Sequence, residues 1–119
     1  MTTRRMKTYS GESGLVYQYY FLESKPRRRF WGRSGTAFLF HVTSDRKNFF
    51  VAEVVVEEAA LQAWKKAHGR ALVEQERYAA AKMALFRDFD ESGSPDELSQ
   101  IRVSESNIES LLETLHLDD

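Results

Sequence analysis

The residues with the clearest chemical potential are the oxygen-bearing side chains of residues 88–96. They follow a predicted helix at spacings like positions 1, 3, 5 and 9 of a calcium-binding EF-hand loop: Asp88, Asp90, Ser92 and Asp96. Gly93 takes position 6, where such loops turn sharply. Alternate oxygen ligands at this spacing converge on one hard cation, so the segment is a candidate calcium site.

Two departures weaken the calcium interpretation. Position 12 is Ser99, where the loop needs a bidentate glutamate, and position 8 is Pro95, which cannot donate the backbone hydrogen bond that pairs two such loops. Residues 94–97 also form a capping box with proline at the first helical position. The sequence therefore predicts a short helical turn at residues 95–99. It predicts no metal site there.

The basic stretch at residues 25–33 (KPRRRFWGR) is the strongest candidate for binding. Five of its nine residues are basic, and two aromatic residues are embedded among them. Arginines can neutralise phosphates, and an adjacent ring can stack on an unpaired base. The alternative is structural, because a connection between strands must be solvated and the two rings can begin the next strand in the core. The candidate binding residues are Lys25, Arg27, Arg28, Arg29, Phe30, Trp31 and Arg33.

The sequence contains no assembled catalytic motif. His41, His68 and His116 are scattered, without the i, i+4 spacing that places two ligands on one helix face. No glycine-rich nucleotide loop is present, so we predict no catalytic residue, no metal ligand and no cofactor. A catalytic or small-molecule pocket whose residues meet only in three dimensions, near His41, is left open as an alternative.

Charge is divided unevenly along the chain. Residues 1–47 hold ten Lys/Arg and three Asp/Glu, a net of +7, whereas residues 48–119 hold seven and fifteen, a net of −8. Such a split predicts either a basic surface for an acidic partner or attraction between the two halves, within one chain or between two copies. The acidic half would repel a nucleic acid, which makes nucleic-acid binding the second choice.

Composition places the chain among cytoplasmic proteins. It has 119 residues, enough for one domain, and no cysteine, which suits a reducing compartment. The first 14 residues lack the apolar segment of a signal peptide, and no apolar run reaches membrane-spanning length, so no membrane association is expected.

Hydrophobic periodicity predicts the elements that position these residues. Residues 15–23 predict a strand with apolar character on both faces, which is typical of a strand at a dimer interface. Residues 36–43 and 49–56 alternate cleanly and predict a hairpin closed by the polar residues 44–48. Helices are predicted over residues 57–68, 73–89 and 106–117, with a short strand over residues 100–103.

This order, β-β-β-α-α-β-α, predicts an α+β fold: an antiparallel sheet of three to four strands with two to three helices packed on one face. Residues 1–13 are predicted to be a flexible lead-in and residues 14–119 a single domain. The functional hypothesis is a non-enzymatic protein-interaction domain that acts through its basic stretch on a protein partner or a second copy, as a homodimer. Nucleic-acid binding by the same stretch and an enzyme or ligand pocket are the alternatives.

Overall fold

The computed structural model describes residues 6–12, 14–28, 34–91, 100–113 and 115. Within these residues the chain forms five strands and three helices. The strands are β1 (Lys7–Ser10), β2 (Val16–Arg28), β3 (Ser34–Thr43), β4 (Phe49–Glu57) and β5 (Gln100–Val103). The helices are α1 (Glu58–His68), α2 (Glu74–Glu91) and α3 (Ile108–Glu113). The predicted α+β class is confirmed.

The sheet is mixed, with the strand order β1-β2-β3-β4-β5. Strands β1 to β4 form an antiparallel meander, whereas β5 pairs parallel to β4. The prediction of three to four antiparallel strands was therefore wrong in detail. The parallel pair arises because α1 and α2 carry the chain from the end of β4 back to its beginning, which is the crossover that parallel strands require.

Strand β2 is longer than predicted, because it continues through Lys25–Arg28 into the segment that was expected to be a turn. Its first four residues pair with β1, and no described strand pairs with the same edge of its second half, a position that tolerates Pro26, which has no N–H to donate. A β-bulge between Phe21 and Glu23 shifts the register against β3 by one residue. The shift exchanges the two faces of β2 beyond that point.

The core lies between one face of the sheet and the helices, as the alternation predicted. Phe38, Phe40 and Val42 of β3 are buried on this face, beside Ala52, Val54 and Val56 of β4. Trp64 packs α1 against this face, and Leu85 and Phe89 pack α2 against it. The histidine at the end of α1, His68, stacks on Trp64 and contacts Glu109 of α3 with its Nε2 atom, 2.9 Å away.

The helix boundaries follow capping chemistry. Helix α1 ends at His68 and is capped by Gly69, whose φ of 77° lies in the left-handed region that favours glycine. Before α2, the backbone N–H of Val73 donates to Glu76, and Arg70 donates two hydrogen bonds to the same carboxylate. The Arg70 hydrogen bonds, followed by the Val73 N–H, lower the pKa of Glu76 to about 2.

Strand β1 lies in the segment predicted to be a flexible lead-in, and α2 holds it in place. The Tyr9 hydroxyl donates a hydrogen bond to Oδ2 of Asp90 (2.8 Å), and the backbone N–H of Glu12 donates to Oδ1 (2.9 Å). The Tyr9 ring also stacks on Phe86, with ring centroids 4.4 Å apart. A four-residue strand is therefore fixed by a helix about 80 positions later in the sequence.

The Tyr9–Asp90 contact predicts a pH dependence of stability. Burial, followed by the Asp90 hydrogen bond, raises the pKa of Tyr9 from 10.0 to about 12. The raised pKa stabilises the fold fully below pH 10, and this contribution is lost as the pH rises from 10 to 12. We expect Tyr9→Phe to lower the free energy of unfolding by about 1–2 kcal/mol at pH 8. The difference in stability between this variant and the unmutated protein should shrink as the pH rises from 10 to 12. Thermal unfolding of both proteins from pH 8 to 12 measures this difference in stability. A difference that stays constant over this range would contradict the role given to the Tyr9–Asp90 contact.

Candidate interaction surface

The face of the sheet turned away from the helices, here called the outer face, carries the candidate site. Strand alternation assigns to it the residues between the core positions, and pairing places Tyr20 beside His41 and His41 beside Val51 on three neighbouring strands. On β4, Phe49 lies two positions before Val51. In the described part of the chain, the helices pack against the opposite face, and the outer face is exposed at Phe49 and Val51 but buried at Ala37 and Val55.

An apolar cluster is exposed on this face. Val51, Val16 and Phe49 are 50%, 48% and 44% exposed, and they are three of the five large apolar side chains that are exposed among the described residues. Concentration on one sheet face distinguishes such a cluster from scattered surface apolar residues, which need no explanation. We define the outer-face patch as Val16, Tyr20, His41, Phe49 and Val51.

The centre of the patch is ordered by aromatic contacts. The Tyr20 hydroxyl shares a hydrogen bond with Nδ1 of His41 (2.5 Å), and the two rings meet edge to face. The Phe49 ring lies on the other side of His41, with centroids 4.7 Å apart. These side chains are thus held in place before any partner binds, which reduces the entropy lost on association.

The β3–β4 turn positions Phe49. Oδ1 of Asp45 accepts hydrogen bonds from the backbone N–H groups of Lys47 and Asn48 (2.8 Å each). These backbone bonds, Asn48 first, hold the pKa of Asp45 well below its usual range. Arg46 adopts a left-handed conformation (φ 65°), and its Nε atom donates to Gln18. The turn predicted from residues 44–48 therefore fixes the edge of the patch.

Part of the predicted basic stretch lies at the other end of the same face. Lys25 is exposed on β2, and Arg27 contacts Glu53 of β4 in an ion pair, whereas the exposed Arg28 pairs with Ser34 and belongs to the helix side of the sheet. The β-bulge brings Lys25 and Arg27 to the outer face; simple alternation from Phe21 would have turned them towards the helices. The remaining predicted binding residues lie outside the described part of the chain: Arg29, Phe30, Trp31 and Arg33.

The cations at this end lie above their carboxylate partners. The side chains of Arg27 and Arg102 are 42% and 43% exposed, whereas those of Glu53 and Glu57 are 12% and 11% exposed. Arg102 of β5 lies 3.8 Å from Glu57. We define the basic end as Lys25, Arg27 and Arg102, of which Arg27 and Arg102 have carboxylate partners.

The described residues provide no metal centre. No group of three or more His, Asp or Glu side chains in that part of the chain is arranged to hold an ion. Asp90 of the calcium-like segment instead accepts the hydrogen bonds from Tyr9 and Glu12 that hold β1. The predicted capping box at residues 94–97 lies outside the described residues.

A cleft of about 590 Å³ lies away from His41. It opens between Ser34 at the start of β3, the first turn of α1 and the turn that precedes α3. Its charged lining comprises three carboxylates and one guanidinium, those of Glu57, Glu58, Glu105 and Arg102. His41 does not line this cleft or two smaller ones of about 340 and 250 Å³.

Sequence reasoning identified only part of this surface. The apolar residues on both faces of residues 15–23 indicated that β2 is covered on two sides, and Tyr20 is among them. Phe49 and Val51 were overlooked because they alternate with Glu53, which marks their face as polar. Their exposure is visible only once the helices are known to occupy the other face.

Comparisons with protein-family models, curated proteins and solved structures find no match for this chain. Among the described helices, none combines the length and the apolar character needed to cross a membrane.

Proposed function

We propose that the chain is a small protein-interaction domain that associates with a second copy of itself through the outer-face patch. The observation that carries the proposal is the exposure of Val16, Phe49 and Val51 on one face of the sheet. An apolar centre containing aromatic residues, with charged residues at its margin, is the usual anatomy of a protein interface. A tyrosine and a histidine that are already ordered suit such a surface.

A second copy is the proposed partner because the patch can complement itself. Its five residues are apolar or aromatic, so two identical patches can pair these groups with each other, with Arg46, which donates to Gln18 on the same face, at the edge of the contact. The basic end lies outside the patch, where it remains available to an acidic surface of another protein. Arg27 is engaged by Glu53 and Arg102 lies near Glu57, which makes this end less suited to a nucleic acid than its composition indicates.

Sedimentation of the Val51→Glu variant tests the proposed function. We expect the unmutated chain to form dimers and the substitution to weaken association about tenfold or more, because each dimer would bury two carboxylates in an apolar contact. Val73→Glu is the matched control: Val73 is also exposed but precedes α2, on the helix side of the molecule. Thermal unfolding should show that both variants remain folded.

Salt separates this proposal from association driven by charge. At about 1 M salt the Debye length falls to about 3 Å, so contacts between exposed charges are screened while apolar association persists. A chain that stays monomeric at high concentration would overturn self-association. Equal dimerisation of Val51→Glu and the unmutated protein would overturn the assignment to the patch.

A further inference from the structure

We propose that Lys82 is a reactive amine that forms an imine with carbonyl compounds carrying an anionic group, and that Lys7 holds the anion. The two lysines meet where β1 packs against α2, on the helix side of the sheet. The outer-face patch lies on the other side, so this inference goes beyond the proposed function and does not depend on dimerisation.

Aromatic residues of α2 shelter the Lys82 side chain. Tyr78 and Phe86 lie one helical turn before and after it, and its Nζ atom is 5.7 and 5.8 Å from the centroids of their rings. These distances are close to the limit of about 6 Å for a cation–π contact, so the rings stabilise the ammonium only weakly. They also keep water from part of the side chain, and Lys82 is partly buried.

Strand pairing brings a second lysine to the same place. Lys7 of β1 pairs with Tyr19 of β2, so both side chains lie on the same face of the sheet. The Tyr19 ring meets Phe86 edge to face, with centroids 5.5 Å apart, which puts Lys7 beside the turn of α2 that carries Lys82. The Lys7 side chain lies within hydrogen-bonding reach of Lys82.

No carboxylate balances this pair of charges among the described residues, where neither lysine takes part in an ion pair. The other titratable groups beside Lys82 are Tyr78 and Tyr19, and burial raises the pKa of both, so they stay uncharged at neutral pH. Burial, followed by the charge of Lys7, lowers the pKa of Lys82. The free amine of Lys82 is therefore more populated at neutral pH than that of a fully solvated lysine.

A free amine beside a second lysine suits carbonyl chemistry. The lone pair of the Lys82 nitrogen attacks the carbonyl carbon, and a C–N bond forms while the carbonyl oxygen takes up a proton. That oxygen then leaves as water with the two hydrogens of the amine, and an imine remains. Nucleophilic lysines that form such imines are activated by desolvation or by a neighbouring cation. Lys7 is exposed, and its ammonium can attract an anionic group of the same compound.

Pyridoxal phosphate, which carries an aldehyde and a phosphate, is the probe. Borohydride reduces the imine to a stable secondary amine, and mass spectrometry of peptides then measures the modified fraction of each of the six lysines. We expect Lys82 to be modified about threefold or more faster than Lys65, an exposed lysine in the last turn of α1. Modification that is spread evenly over the lysines would overturn the proposal.

Lys7→Met tests the role of the second lysine, and Lys7→Arg is the matched control that keeps the charge. We expect Lys7→Met to slow the modification of Lys82 about twofold or more, because the repulsion that favours the free amine is removed. The same change should shift the pH dependence of this reaction towards higher pH, whereas Lys7→Arg should keep the fast reaction. An unchanged rate in Lys7→Met, shown by thermal unfolding to be folded, would overturn the role of Lys7.

Pyridoxal, which lacks the phosphate, separates capture of the anion from reactivity of the amine alone. Relative to Lys65, we expect Lys82 to react about threefold or more faster with pyridoxal phosphate than with pyridoxal, and Lys7→Met to remove most of this preference. Equal relative rates with the two aldehydes would overturn the assignment of the anion to Lys7. Sedimentation of the same variants should show unchanged association, so failure of this proposal would leave the proposed function intact.

Discussion

Replacing Phe89 by alanine is expected to lower the free energy of unfolding by about 3–5 kcal/mol. The Phe89 side chain of α2 is fully buried, and its ring stacks on Tyr17 of β2 with centroids 4.1 Å apart. The Tyr9 ring of β1 lies 5.7 Å away. Truncation would leave a cavity beside the rings of Tyr9 and Tyr17, which cannot both move inwards, so the loss exceeds the transfer free energy of the removed atoms.

Denaturant unfolding measures this cost, with Phe89→Leu as the control that keeps most of the volume. We expect the leucine variant to lose about half as much stability as the alanine variant. Amide exchange should show β1 losing protection first, because its contact with α2 depends on this cluster of rings. A cost below about 1.5 kcal/mol for Phe89→Ala would show that the cluster can collapse around the cavity.

The effect of Phe89→Ala on dimerisation should be small wherever the variant is still folded. Phe89 packs on the helix side of the sheet, and the outer-face patch lies on the other side. Loss of stability without loss of association would separate the core from the surface. Val51→Glu should have the reverse effect, with weaker association and little loss of stability.

The parts of the fold that could be predicted are those encoded by local periodicity. Phe38, Phe40 and Val42 alternate with smaller or polar residues, and the structure buries all three. The polar residues 44–48 were correctly assigned to a turn, and the end of α1 was correctly placed at His68. In each case the chain within a few positions determines the conformation.

The parts that could not be predicted depend on distant residues. Strand β1 is polar and only four residues long, and its place is set by Asp90 far along the chain. The parallel pairing of β5 depends on the path of two helices. The residues of β5 themselves do not indicate that path. The bulge beside Glu23 reverses the faces of β2, so simple alternation misplaces Lys25 and Arg27.

The candidate site was hidden for a related reason. A strand face becomes an interaction surface only when nothing else in the molecule covers it, and coverage is a property of the whole fold. Val51 and Glu53 lie on the same face of β4, yet one is half exposed and the other is paired beneath Arg27. The sequence places both residues on one face but does not distinguish these two environments.

Gly35 governs how closely β3 approaches β4 beneath the basic end, and Gly35→Ala is expected to destabilise the protein by about 1–3 kcal/mol. A Cβ atom on Gly35 would lie 2.4 Å from the carbonyl oxygen of Val56 and 3.0 Å from the Cα atom of Glu57. Both neighbours are backbone atoms, so no side chain can rotate away and the two strands must separate locally. The cost arises from steric overlap, since glycine's conformational freedom is not required at this position.

Ser34→Ala, at the adjacent exposed position, is the matched control and should change stability by less than about 0.5 kcal/mol. Amide exchange should locate the effect of Gly35→Ala at the pairs Gly35–Glu57 and Thr36–Val56 rather than at the patch. Because the separation occurs where Glu57 meets Arg102, the basic end should be altered while dimerisation is retained. If Gly35→Ala proved as stable as Ser34→Ala, the close approach of the two strands would be refuted, and with it the requirement for glycine beneath the basic end.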